Sequence, residues 1–117
     1  SMHHFPLKSL PEGMAFEEVE QSKKILEEKL GHPIQHFAYP YGERQEAGLR
    51  DFALVHQSSY QTAVTTRFAS LFPQHSNHLE CLPRFDAPAL DDNRKLALAI
   101  NGLLQIRRNR FRRVGLD

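Results

Sequence analysis

The stretch from Gly31 to Gly42 constrains this chain more than any other. Upstream of it, Phe16, Val19, Lys23, Leu26 and Leu30 fall three or four residues apart, which predicts a helix over about Ala15 to Leu30 with these residues on one face. Glu17, Glu18 and Glu20 crowd its first turns, where the helix dipole favours negative charge. Gly31 then takes the position of a C-terminal cap, and Pro33 forbids continuation. The run Ile34 to Tyr39 that follows is short, apolar and aromatic, and reads as a strand. It must stop at Pro40, which has no amide to give a ladder, and Gly42 permits a sharp turn there.

Downstream the same alternation continues. A second helix is expected over Gln45 to His56, with Leu49, Phe52, Ala53 and His56 on one face and Gly48 weakening it by about 1 kcal/mol relative to alanine. Gln61 to Thr66 is rich in β-branched residues and reads as a strand. A polar loop carries Gln74, His75, Ser76, Asn77 and His78, and Leu79 to Phe85 reads as a third strand broken by Pro83. Asp91 or Asp92 is placed to cap a last helix in which Leu96, Ala99, Ile100 and Leu103 share a face. About three strands and three helices in alternation imply an α/β fold with a mainly parallel sheet. Three strands make a thin sheet, so the chain reads as an incomplete object.

Composition excludes little but is consistent. An apolar share of 40% with 25% charged residues suits a folded domain, and no apolar run approaches the roughly 20 residues of a membrane helix. The single cysteine, Cys81, rules out an internal disulfide and any multi-cysteine zinc site, and its apolar neighbours point to a small buried side chain. The net charge of +1 hides a tail, residues 107–117, that carries +4 through five arginines against the single Asp117. Binding of nucleic acid by that tail is a weaker reading than a cationic helix end or a solvated terminus.

Four segments, in order, resemble the second half of the NodB-homology fold, that of the polysaccharide deacetylases of carbohydrate esterase family 4. Glu20 to Gly31 is similar to the helix before the family's central motif, and Phe37-Ala38-Tyr39-Pro40-Tyr41-Gly42 to that motif in its FAYPYG form. Tyr60 to Thr66 resembles the following strand, and Leu82-Pro83-Arg84 the element after it. The resemblance covers roughly Met2 to Leu104. It implies a partial (β/α) barrel of the NodB, or glycoside hydrolase–deacetylase, type, with residues 1–106 as the C-terminal portion of a deacetylase domain and 107–117 as a basic tail.

The resemblance also implies a chemistry. Family members hydrolyse N- or O-acetyl groups on a polysaccharide with a divalent metal, often zinc, held by two histidines and an aspartate; the metal supplies hydroxide and polarises the acetyl carbonyl. His4, with Leu7 and Leu10 at the family's spacing, matches the second metal histidine. Tyr41 matches the aromatic residue whose backbone N–H faces the developing oxyanion, and Tyr39, Pro40 and Tyr41 together form the substrate-binding turn. Ala38 stands where the commoner pattern has arginine, and Arg84 takes over that role of orienting a catalytic aspartate. Read without the resemblance, His3 and His4 are exposed terminal residues, Arg84 a surface arginine, and His75 and His78 solvated loop residues.

The family's aspartate pair has no counterpart, because the only adjacent aspartates, Asp91 and Asp92, start a helix near the other end. The first metal histidine and the late acid histidine have none either. The expectation is therefore a polysaccharide deacetylase-like chain, inactive by itself, whose ligand is an acetylated polysaccharide. The alternative is a non-catalytic remnant acting as an oligomeric or carbohydrate-binding module, with a homodimer covering an exposed sheet edge.

Overall fold

The computed structural model describes residues 1–85, 92–103 and 114–116. Helix α1 runs Glu12–Leu30, starting directly after Pro11. It ends as its sequence dictates: Gly31 adopts a left-handed φ of 71° and its amide bonds Glu27 O at 2.9 Å. The Glu27 carboxylate then reaches forward to accept from Ile34 N at 2.9 Å, so the helix terminus itself sets the chain into the next strand.

The face that α1 buries differs from the expected one. Ala15, Glu18, Val19 and Ser22 are buried, while Phe16, Leu26 and Leu30 are exposed. Apolar periodicity misjudged the rotation because two of the buried positions are polar and satisfied. The Ser22 hydroxyl donates to Val19 O at 2.8 Å, and the Glu18 carboxylate is bonded by His3. Lys23 sits at the margin, donating to Ser58 O and Ser59 O while its ammonium lies 4.7 Å from the centre of the Tyr60 ring.

Strand β1 (His36–Ala38) pairs in parallel with β2 (Thr62–Val64), with Phe37 opposite Ala63. Between them α2 spans Leu49–Gln57, completing a β–α–β unit. Gly48, expected inside this helix, is instead its extended N-cap, and its amide is bonded by the Asp51 carboxylate at 2.9 Å. The buried face is Asp51, Phe52, Leu54 and Val55; Leu49, Ala53 and His56 are exposed, so of the expected face only Phe52 is buried. Capping explains how Asp51 tolerates burial, since Arg50 also donates to it at 2.6 Å.

The expected third strand over Leu79–Phe85 contracts to a single parallel bridge, Leu82 beside Val64, after a 3-10 turn at Leu79–Cys81. Pro83 has no amide with which to extend it. The molecule is thus an α/β domain of three helices and a two-stranded parallel sheet among the described residues. Helix α3 (Asn93–Ile100) is capped by Asp92, which accepts from Arg94 N at 2.8 Å, as expected; Asp91 lies outside the described residues. Of its expected face Ala99 is buried, but Leu96, Ile100 and Leu103 are exposed. No helix among the described residues is long and apolar enough to cross a membrane.

Four aromatic rings form the spine of the core: Tyr60, Phe37, Tyr39 and Phe52, with successive centroids 5.2, 5.2 and 5.3 Å apart and tilted or edge-on. Within this row the Tyr39 hydroxyl donates to Glu80 O at 2.7 Å, and burial pushes that phenol's pKa upward. Cys81 is buried as expected, its thiol raised to about 11 by burial first and by Glu80 second. Val114 and Leu116, from the basic tail read as a cationic helix end or a solvated terminus, pack against this core; residues 107–113 and 117 lie outside the described set.

The two faces of α2 can be separated by experiment. Phe52→Ala should lower the unfolding free energy by about 3–5 kcal/mol, whereas Leu49→Ala, at a side chain 63% exposed, should change it by less than about 0.5 kcal/mol. Urea denaturation of the two variants checks this, and equal losses would contradict the packing described.

Candidate functional site

Because the strands are parallel, the residues that follow each of them gather at one edge of the sheet, the location where open α/β sheets carry ligands. Three segments meet there: Pro40–Gly42 after β1, Thr65–Arg67 after β2, and Pro83–Arg84 after the Leu82 bridge. Backbone bonds join them in a row. Thr66 N donates to Gly42 O at 3.2 Å, and Arg84 N to Arg67 O at 3.3 Å.

Tyr41 stands out in this row. Gly42 N bonds Pro40 O at 2.7 Å, closing a three-residue turn with Tyr41 at its centre and a φ of 60°. A γ-turn of that hand is rare and strained, and a non-glycine residue in such a region carries about 1–3 kcal/mol that its surroundings must hold. The holding contact is visible: the Thr66 hydroxyl donates to Tyr41 O in a short hydrogen bond. Tyr41 N has no hydrogen-bond partner among the described residues, and the ring is 59% exposed. The turn therefore presents an outward aromatic face beside an unpaired amide. Glycine is required at position 42, where φ is 73° and a Cβ would lie 2.8 Å from Thr66 N.

His4 reaches the same place from the N-terminal segment. Its ring meets Tyr41 edge-on, with centroids 5.3 Å apart, and its φ is also positive at 61°. Two anchors flank it. On one side His3 N donates to Glu18 Oε2 at 2.9 Å, and His3 Nδ1 lies 2.5 Å from Glu18 Oε1. Burial alone would raise the Glu18 carboxyl, but the His3 contacts outweigh it and hold that group below the usual carboxylate range. On the other side Leu7 is buried, and Arg50 donates to Leu7 O at 2.7 Å and Leu10 O at 2.9 Å.

The structure thus brings together two of the expected site residues, His4 and Tyr41, and puts Arg84 on the same edge with its side chain exposed. Tyr39 and Pro40 are buried, so they support the turn from beneath while Tyr41 faces solvent. Sequence reasoning missed Thr66 and Arg67. A threonine pair closing a β-branched run was the only signal, and nothing in it distinguishes a clamp from a strand end.

His75 is buried, not solvated: its Nδ1 accepts from Phe72 N at 2.9 Å, capping the turn, and desolvation lowers its pKa. His78 faces Glu80, Nδ1 to Oε1 at 3.3 Å. No cluster of three His, Cys, Asp or Glu side chains able to hold a metal occurs among the described residues. His4 has an aromatic neighbour, and the adjacent His3 is committed to Glu18. This donor set does not fit a zinc centre, which needs at least three protein ligands. Comparison with protein-family models, with curated proteins and with solved structures finds no match for the chain.

Replacing Gly42 tests the turn directly. Gly42→Ala should destabilise the protein by at least about 1–3 kcal/mol, because the new methyl meets backbone atoms and the φ is unfavourable. A thermal melt within error of the wild type would contradict the tight Gly42–Thr66 contact.

Proposed function

We propose that this chain is the C-terminal part of a polysaccharide deacetylase-type domain, a partial (β/α) barrel of the NodB kind, and that it binds acetylated polysaccharide at the Tyr41 turn. One observation carries the reading: Tyr41 is held in a strained turn at the carboxyl edge of a parallel sheet, ring exposed and amide unpaired, with His4 against it. A sugar ring is an amphipathic plate, and an exposed phenol offers it an apolar face with a polar rim. The adjacent amide, unpaired within the described residues, would donate to an acetyl carbonyl oxygen, a contact that strengthens as that oxygen gains negative charge.

The parent activity is hydrolysis of an N- or O-acetyl group. Water adds to the acetyl carbonyl, the bond to the sugar nitrogen or oxygen breaks, acetate leaves, and the sugar atom takes the proton. In this scheme Tyr41 binds the carbonyl and Arg84 orients a carboxylate. The sequence holds no counterpart of the family's aspartate pair, and the described donor set does not fit the metal. By itself the chain therefore recognises the acetylated sugar without hydrolysing it.

A second reading is favoured by the outer edge of β1, which has no strand partner among the described residues. Such an edge invites pairing with a second copy, and the chain would then be an oligomeric, non-catalytic module.

The test is binding and turnover with an acetylated chito-oligosaccharide in the presence of zinc. Saturable binding lost in Tyr41→Ala, with no acetate released, is the expected result. Acetate release that a chelator abolishes would overturn the claim of inactivity. Absence of binding, with a concentration-dependent dimer in sedimentation, would favour the second reading.

A further inference from the structure

Arg67 is a buried cation that the candidate site does not obviously need. It is 6% exposed and lies one residue beyond Thr66, the side chain that holds the Tyr41 turn. Its guanidinium ties three parts of the fold together. Nη2 donates to Ala47 O at 2.6 Å, at the entry to α2; Nη1 donates to Gly115 O; and the group lies 5.0 Å from the centre of the Phe52 ring. The Arg67 backbone is fixed as well, with its amide on Thr65 Oγ1 at 3.3 Å and its carbonyl on Arg84 N. Desolvating a guanidinium is tolerated only when its hydrogen bonds are replaced, and one of the carbonyls that replace them comes from the far end of the sequence.

Val114, Gly115 and Leu116 are placed to supply that carbonyl. Val114 and Leu116 pack on the core cluster, with Gly115 between them in contact range of the Arg67 side chain: a Cβ there would lie 3.5 Å from Arg67 Cδ, an ordinary van der Waals distance. Removing the Gly115 carbonyl takes away one of the groups that fix the fork, and the Arg67 side chain is then held less firmly. The displacement passes along a short, stiff path: Arg67 to Thr66, and Thr66 to Tyr41 O and Gly42 O.

We infer that the C-terminal Val114–Leu116 segment is a strap that sets the Tyr41 turn through Arg67, so that binding at the turn depends on whether the strap is seated. Arg67 is a positioning residue in this scheme, with no ligand contact of its own. The inference rests on the binding role given to Tyr41, but its first readout does not require any sugar.

The experiment compares the full chain with a variant ending at Arg113, with Leu116→Ala and with Arg67→Lys, using backbone amide NMR and titration with an acetylated chito-oligosaccharide. The strap predicts that all three variants remain folded, as judged by dispersed core resonances. It predicts displaced amides at Arg67, Thr66, Gly42 and Tyr41, and binding weaker by about tenfold or more, as positional errors near 1 Å at a site produce. Arg67→Lys should show the same signature because an ammonium cannot bridge the two carbonyls as the planar fork does. Unmoved Tyr41 and Gly42 amides in the shortened chain would overturn the inference, whatever the sugar result. Should shortening unfold the chain, Leu116→Ala decides by the same amides. Moved amides with no sugar binding even in the full chain would leave the strap standing and remove the carbohydrate role instead.

Discussion

The extension of β2 through Thr65, Thr66 and Arg67 is bonded on both sides, and the rest of the structure depends on it. Thr65 N takes Leu82 O at 2.8 Å, Thr66 holds the Tyr41–Gly42 turn, and Arg67 reaches Ala47 O and Gly115 O. These few residues join the sheet, the start of α2, the Leu82 bridge and the C-terminal segment. A sheet of two three-residue strands has little ladder of its own. Its continuity comes from irregular backbone that continues the hydrogen bonding past the strand ends, as buried amides and carbonyls require.

Strain and its support are found side by side. Tyr41 and His4 both adopt positive φ and touch each other, and each is flanked by groups that hold it there. For Tyr41 these are the Thr66 hydroxyl and the turn bond from Gly42; for His4 they are the His3–Glu18 pair and the buried Leu7, fixed by Arg50. Strained residues persist where their surroundings over-determine them, and such places tend to be functional. The aromatic row from Tyr60 to Phe52 includes the buried Tyr39, which immediately precedes Pro40, so the turn leaves directly from the packed core.

How far this was legible in the sequence depends on whether the relevant physics is local. The end of α1 at Gly31, the stop of β1 before Pro40 and the Asp92 cap follow from backbone chemistry within a few residues, and all are found. The buried faces of α1 and α2 were misjudged because Glu18, Ser22 and Asp51 are buried polar groups. Glu18 and Asp51 depend on partners at His3, Gly48 and Arg50 that apolar periodicity cannot weigh, and Ser22 on the carbonyl of Val19. The third strand shrank to one bridge because Pro83 follows Leu82. At the candidate site, segment order alone singles out His4, Tyr41 and Arg84, of which the structure brings His4 and Tyr41 into contact, whereas Thr66 and Arg67 are tied in only by contacts 20 to 48 residues away.

We propose that the strained Tyr41 turn is where this protein meets an acetylated sugar. It is tested most directly by mapping, residue by residue, which amides of the intact chain respond to an acetylated chito-oligosaccharide. Binding at the turn should give saturable shifts confined to Tyr41, Gly42, Thr66 and Arg84, with the His4 ring protons moving in step. Saturable shifts on another surface, or none at millimolar ligand, would contradict it.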